Sequence, residues 1–353
     1  MGRKKSYRPR LSEAEYRLIE NIRSNPNSED FLTICQEKGI NPQDVAQYWD
    51  KDKRYSIQVK GSDKDWNGLI DNAFDRLKEY SPSFKTFKRT KSKDPHCLVL
   101  DPADIHIGKL ASFVETGGKY DIETALARVD EGVQGVLDKS YGFNLDKVIL
   151  IIGNDVLHID NPHGTTTSGT RQDTSAMWHE MYLAAEQMYV AIIEKLLPIC
   201  DVEVVYNPSN HDYASGFMLA QTIRAYFRKS NNVTFNVDIS HRKVTQYGKS
   251  MIGTSHGDGA KMADMPLLMA TENPLMWNEC KYRYIYLHHI HHKQSTKFMN
   301  GKDYIGVTVE YLRSPSEADS WHDRNGYKGS KVAIEGFIHS FESGQVARIT
   351  HLF

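Results

Sequence analysis

The chain has 353 residues, 40% of them hydrophobic and 25% charged, with a formal net charge of −1, which is enough apolar material for one large domain and a smaller one and excludes a disordered chain. No apolar stretch approaches the ~20 residues that span a bilayer, and the opening residues contain no hydrophobic signal core, so neither membrane insertion nor secretion is expected and a cytoplasmic location is. Cys35, Cys97, Cys200 and Cys280 are widely spaced without a C-x-x-C pair, which argues against a disulfide framework or a thiolate zinc site.

Taken in chain order, residues 1–60 read as a basic tail through Arg10 followed by a small helical region. LSEAEYRLIENIRS has Ser12 at a cap position and Glu15 three residues on, a capping-box pattern. SEDFLTICQEKG and NPQDVAQYWDKD read as two further helices, the first ended by Gly39 and the second opened by Asn41 and Pro42. Three compact helices with Lys51, Lys53 and Arg54 just beyond resemble a helix-turn-helix unit able to meet DNA. They suit equally a structural cap in which Leu18, Ile19, Phe31, Ile34, Val45 and Tyr48 pack together. Residues 1–97 hold 20 Lys/Arg against 15 Asp/Glu, an excess compatible with an anionic partner but too small to identify one.

Residues 61–96 read as a connecting segment, with a helix around WNGLIDNAFDRLKEY and a charged linker, FKTFKRTKSKDPH, after the brief strand YSIQV. From Cys97 onward apolar runs alternate with helical patterns. HCLVL precedes a helix near Asp121 to Leu137, KVILIIG precedes a helix from about Ser175 to Leu197, and VEVVY precedes one beginning near Tyr213. VTFNV, RKVTQYG, SMIGTSH, RYIYLHH, YIGVTVEY, KVAIEGFIHS and QVARITHLF supply further strands. The expected fold is α/β, two packed mixed β-sheets flanked by helices, spanning residues 97–353 with polar insertions near 159–174 and 313–330.

Short polar clusters occur along this domain, most of them directly after an apolar run: D-I-H at Asp104 to His106, D-V-L-H at Asp155 to His158, N-H-D at Asn210 to Asp212, an isolated His256, and H-H-I-H at His288 to His291. Groups at the carboxyl ends of strands in an open α/β sheet lie where such folds place their sites. Asp104 and His106, two residues apart, can be aimed at one ion, and Asp155 can bridge two, because a carboxylate offers two oxygens. Asn210, His256 and His289 would complete the second ion, and His291 would return to the first. Two divalent ions about 3.5–4 Å apart lower the pKa of a water and offset phosphoryl charge. His211, beside a ligand, is expected to contact the phosphate and protonate the leaving oxygen, with Asp212 orienting its ring and His158 adding a second contact. A single Asp-x-His or Asn-His pair carries little weight; five clusters in this order carry much more.

These ordered motifs resemble those of the calcineurin-like metallophosphoesterase superfamily, D-x-H, G-D, G-N-H-D/E, H and G-H-x-H, over roughly residues 97 to 300. The resemblance implies Asp104, His106, Asp155 and His291 as one metal set and Asp155, Asn210, His256 and His289 as the other, with His211 as the acid and phosphate-binding histidine. The chain departs from the pattern at glycines: Asn154 stands within the G-D pair, Ser209 precedes Asn210 and His288 precedes His289. D-V-L-H and D-I-H-I-G-K look like the DNA-repair exonuclease branch, and the whole pattern is similar to phage and prophage phosphoesterases.

The expected activity is therefore a metal-dependent phosphodiester hydrolase, a nuclease acting on DNA through a metal-activated water. A phosphomonoesterase or small-nucleotide phosphodiesterase is the first alternative, and a nucleic-acid-binding module with a structural metal site the second. The mixed His/Asp/Asn donors favour Mn²⁺, with Fe, Zn²⁺ or Mg²⁺ as alternatives. Lys109, Arg171, Trp321, His322, Arg324 and Tyr327 are the candidate substrate contacts beyond the reacting phosphate. A homodimer or an unidentified protein partner stays open.

Overall fold

The computed structural model describes residues 32, 33, 36, 47–51, 56–60, 83–289, 301–326 and 331–353. Two compact units are present, Met1–Ser81 and Pro82–Phe353. In the first, residues 32, 33 and 36 are helical, within the helix expected there. Strand β1 (Gln47–Lys51) pairs antiparallel with β2 (Ser56–Lys60), so Tyr48 meets Val59 and Asp50 meets Ile57. This corrects the expected helix NPQDVAQYWDKD, whose second half is β1. Adjacent aromatic residues favour a pleated strand once a partner rich in β-branched residues is at hand, and that pairing overrides the cap signal of Asn41 and Pro42. The third helix of a helix-turn-helix unit therefore does not run through Lys51. The helices expected over LSEAEYRLIENIRS and WNGLIDNAFDRLKEY lie outside the described residues.

In the second unit the charged stretch before the first strand is not a loose connection. Phe84 packs on Phe227 with ring centroids 5.1 Å apart, and Phe87 exchanges hydrogen bonds with the Asn232 side chain at 2.8 and 2.9 Å. Apolar Phe84 and Phe87 thus join the core that the strands build.

A six-stranded sheet has the order β13-β12-β3-β4-β5-β6. Its β3 (His96–Asp101), β4 (Leu145–Gly153), β5 (Asp201–Asn207) and β6 (Val233–Asn236) are parallel. The antiparallel pair β12 (Ala333–Ser340) and β13 (Gly344–Leu352) closes one edge. The short α1 (Phe113–Thr116) follows β3 and precedes α2 (Ile122–Lys139), while α3 (Trp178–Leu196) follows β4 and α4 (Tyr213–Tyr226) follows β5. In α2, Ala125, Val129, Gly132, Val133 and Val136 form the buried stripe. Its N-terminal end is capped by Asp121, which accepts from Thr124 N at 2.8 Å.

The second sheet has the order β10-β11-β9-β8-β7. Strands β8 (Ser250–Ser255), β9 (Tyr282–Leu287) and β11 (Val307–Tyr311) are parallel, with β7 (Arg242–Tyr247) and β10 (Gly301–Tyr304) antiparallel at the edges. The run YIGVTVEY, expected as one strand, breaks into β10 and β11 at Gly306, whose φ of 77° admits the turn. Helices α5 (Met265–Glu272) and α6 (Pro274–Glu279) cover this sheet's outer face.

Strand alternation explains the layering. Leu98, Leu100, Val148, Leu150 and Ile152 face the helices, while Cys97, Val99, Ile149 and Ile151 face Ile252, Tyr286 and Leu312 of the second sheet's side. Each such fully buried aliphatic side chain contributes about 1.5–3 kcal/mol of transfer free energy. The result is the helix-flanked double sheet of the calcineurin-like phosphoesterases, as expected. Among the described residues no helix is long and apolar enough to cross a membrane.

Candidate metal centre

The parallel strands of both sheets deliver the polar clusters to one edge of the sandwich. Asp104 and His106 follow β3, Asp155 and His158 follow β4, Asn210 and His211 follow β5, His256 follows β8, and His289 follows β9. The chain must turn sharply there, and the backbone records it. Among the described residues, the non-glycine ones at positive φ are Asp104, His106, Asn154, Asp155 and His289, at 51° to 70°. Such conformations cost about 1–2 kcal/mol each for residues with a Cβ and persist only where the surroundings impose them. Four of these five residues are proposed ligands, which ties the strain to the site.

What imposes it is a set of hydrogen bonds between the loops. Asp104 N donates to Asn154 O at 2.8 Å, His106 N to Asp155 O at 2.9 Å, and Asn154 N to Asn207 O at 3.1 Å. Gly153 (φ 88°) precedes them, and a Cβ there would lie 2.2 Å from Asn207 O, so the close approach of β4 and β5 requires glycine. Ser209 also acquires a purpose. Its hydroxyl accepts from Asp155 N at 2.7 Å and donates to the Asp212 carboxylate, bracing the loop where the family pattern has glycine. His288 is buried with Nε2 3.1 Å from Asp101 Oδ2, an imidazole–carboxylate contact that the motif pattern does not signal.

Three overlapping donor sets result, each with its ligand atoms within 4.8 Å of one another: Asp104, His106 and Asp155; Asp155, His256 and His289; His106, His158 and His211. Asp155 is common to the first two, and Asn210 Oδ1 lies 2.9 Å from His256 Nε2. His256 Nε2 is 3.2 Å from both Asp155 Oδ2 and His289 Nδ1. Asp104 Oδ1, Asp155 Oδ2 and His256 Nδ1 are buried without a hydrogen-bond partner. Unpaired buried carboxylates and imidazoles are costly, and divalent cations offset that cost. The residues therefore fit a pair of such ions. His291, the remaining expected ligand, lies outside the described residues.

The electrostatics are correspondingly strained. Burial opposes the charge on Asp155, yet His256 and His211 hold it far below the usual carboxylate range. Burial likewise opposes the proton on His256, but the Asp155 carboxylate outweighs it and raises the ring to about 9. Burial, reinforced by the nearby His211 and Lys109, pushes His158 well below its ordinary value. Asp212 rises to about 7 through burial and the Asp155 charge.

The expected role of Asp212 needs correction. Its carboxylate accepts from Leu157 N at 2.8 Å and from Ser209, whereas His211 Nδ1 pairs with the His158 carbonyl at 2.9 Å. Asp212 is turned inward to hold the β4 loop, so the carbonyl orients the His211 ring. The His211 backbone N also donates to Asp155 Oδ1 at 3.0 Å, tying this loop to the shared carboxylate.

Above these residues lies a cleft of about 670 Å³. One wall comes from the 159–174 insertion, which presents Thr166, Ser168, Thr170, Arg171 and Gln172. Asp160 anchors that insertion by accepting from Ala214 N and Ser215 N at the start of α4. Further lining comes from the later insertion, where α7 (Ser320–Arg324) forms. Trp321, 60% exposed, and His322 line the cleft there. Arg171 is exposed at the rim, while Arg324, though exposed, does not line the cleft. Tyr327 lies outside the described residues.

Lys109 is 2% exposed with Nζ 3.3 Å from Asp319 Oδ2, instead of being a solvated loop residue. Asp319 is a site residue that the sequence motifs do not single out. Its one signal is the D-x-x-H spacing at a helix start: the carboxylate accepts from His322 N at 3.0 Å and meets His322 Nδ1 at 2.6 Å. No family model and no curated protein matches the chain.

Proposed function

We propose that the protein is a two-metal phosphodiester hydrolase, a nuclease acting on DNA. The observation that carries the hydrolase reading is Asp155, whose carboxylate belongs to two donor sets at the floor of one cleft. Asp104, His106, Asp155 and His291 would hold one cation, and Asp155, Asn210, His256 and His289 the other. Bound there, two divalent ions, Mn²⁺ ahead of Fe, Zn²⁺ or Mg²⁺, would supply the positive charge that favours attack by water on a phosphate ester.

The protein's own groups complete the reading. His211, held through Nδ1 by the His158 carbonyl, has Nε2 as the nitrogen with which to grip a phosphoryl oxygen. His158, kept neutral by burial, can accept or share a hydrogen bond beside it without adding charge. For the nuclease reading, the support is the cleft lining. Arg171 and the hydroxyls of Thr166, Ser168 and Thr170 suit a sugar-phosphate backbone, and exposed Trp321 suits a base.

The test compares labelled single- and double-stranded DNA with nucleotide monoesters and cyclic nucleotides, after chelation and after Mn²⁺ is restored. Shortened DNA that depends on metal supports the proposal. A tenfold or greater preference for small monoesters with no strand cleavage at stoichiometric protein selects a phosphatase, and absence of metal-dependent hydrolysis rejects both.

A further inference from the structure

We infer that Asp319 and His322 form a second acid–base pair in the cleft, with His322 donating the proton to the leaving oxygen and His211 serving as the phosphate grip. The inference rests on the phosphoesterase reading and deepens it. His322 lines the same cleft as His106, Asp155, His211 and His289, on the wall supplied by α7. Its Nδ1 meets Asp319 Oδ1 at 2.6 Å, so Nε2 is the nitrogen through which the ring would act on substrate. A carboxylate behind an imidazole stabilises the protonated ring and orients it, which is what a proton donor needs. His211 lacks that support, since a neutral carbonyl faces its Nδ1.

A helix cap is the plainer account of Asp319, and it explains only the contact with His322 N. It does not explain Lys109, a cation 2% exposed, brought from the D-x-H loop to Asp319 Oδ2. Capping needs no such partner, and burying an ammonium is costly unless it is paired. Burial opposes the charge on Asp319, but the His322 hydrogen bond and then Lys109 hold its carboxyl well below the usual range, and the Lys109 contact ties the α7 wall to the loop that carries Asp104 and His106. The same pair lies near enough to His158 to act on it electrostatically. Other charged groups on or against α7 include Asp323 and Arg324 in the helix and Glu115, which accepts from Ser320 Oγ.

In this step the oxygen of water bonds to phosphorus, and the bond from phosphorus to the leaving oxygen breaks with its electron pair. The proton on His322 Nε2 passes to that oxygen, and the neutral ring is reprotonated by the proton that water releases.

A proton donor matters most for a poor leaving group, so the test uses two small diesters of thymidine 5′-phosphate with Mn²⁺ present. One releases p-nitrophenolate and the other a nucleoside alkoxide. H322Q should slow the alkoxide ester roughly 10²- to 10³-fold and the nitrophenyl ester less than about tenfold, whereas H211N should slow both alike. D319N should follow H322Q in direction with an unchanged metal content. Nitrogen NMR of the metal-free protein should show the His322 Nδ1 proton signal altered by D319N, a readout independent of turnover and of how well H322Q folds. Equal slowing of both esters by H322Q, or none, overturns the proton-donor assignment while the phosphoesterase reading stands. If the wild-type protein hydrolyses neither ester with any divalent metal, both readings fall together.

Discussion

Lys109 and Asp319, separated by more than two hundred residues in the chain, meet in the wall of the metal cleft with Nζ 3.3 Å from Oδ2. One follows the candidate ligand His106 by three positions and the other caps α7. The pair therefore couples the D-x-H loop to the wall that α7 supplies.

Because Lys109 is buried, removing one partner should cost more than removing both. Lys109→Met should destabilise the protein by about 1–3 kcal/mol, and most of that should return in the Lys109→Met/Asp319→Asn double variant. Urea unfolding of the four proteins measures the coupling. Additive effects would show that the contact contributes no coupling energy.

Asp155 stands in two donor sets and Asn210 beside one, so their replacements should differ in stoichiometry. Asp155→Asn is the informative variant, since asparagine tolerates the φ of 58° and isolates the loss of charge. It should lower occupancy of both ions and reduce turnover by at least about 10⁴-fold, whereas Asn210→Ala should retain one ion. Metal analysis of purified proteins alongside the phosphodiesterase rate decides it; equal loss in both variants would contradict the bridging role.

His339, fully buried in β12 with Nε2 2.9 Å from the Tyr286 hydroxyl, is depressed to about 3 by burial. The unfolded ring titrates near 6.5, so between these values the unfolded chain binds the extra proton. The contribution of the neutral ring is complete above pH 6.5 and is lost as the pH falls towards 3. Relative to His339→Gln, the wild-type protein should lose up to about 1.4 kcal/mol per pH unit across this window. Thermal or urea unfolding at pH 7.5, 6, 5 and 4 would test the slope, and parallel curves would refute it.

Arg171 and Trp321, from different insertions, both line the cleft, while Arg324 does not. The Arg171→Ala/Trp321→Ala variant should raise KM for a DNA strand about tenfold more than for a small diester, with metal content unchanged, because contacts remote from the reacting phosphate add binding rather than chemistry. Arg324→Ala should match the wild-type protein on both substrates. A shift in KM for Arg324→Ala alone would move the substrate path away from the cleft described.

Much of this site is legible in the amino-acid sequence, for a physical reason. Apolar runs such as KVILIIG and VEVVY specify strands buried on both faces, and polar residues directly after them have nowhere to go but the sheet's carboxyl edge. The order of Asp104, His106, Asp155, Asn210, His256 and His289 therefore identifies one candidate metal centre. Local pattern is insufficient where pairing intervenes. Gln47–Lys51 looks helical until it has β2 beside it, and the FKTFKRTKSKDPH stretch looks like a linker until Phe84 and Phe87 find the core.

The sequence by itself determined the double-sheet class and which side chains stand as candidate ligands, because both depend on side-chain type and short-range period. Tertiary structure alone decided what those side chains face: Asp212 inward on Leu157 and Ser209 instead of on His211, Lys109 on Asp319 instead of in water, Trp321 in the cleft and Arg324 outside it. A carboxylate or ammonium takes whichever partner best offsets its loss of water, and that partner lies one residue away or two hundred according to how the loops close.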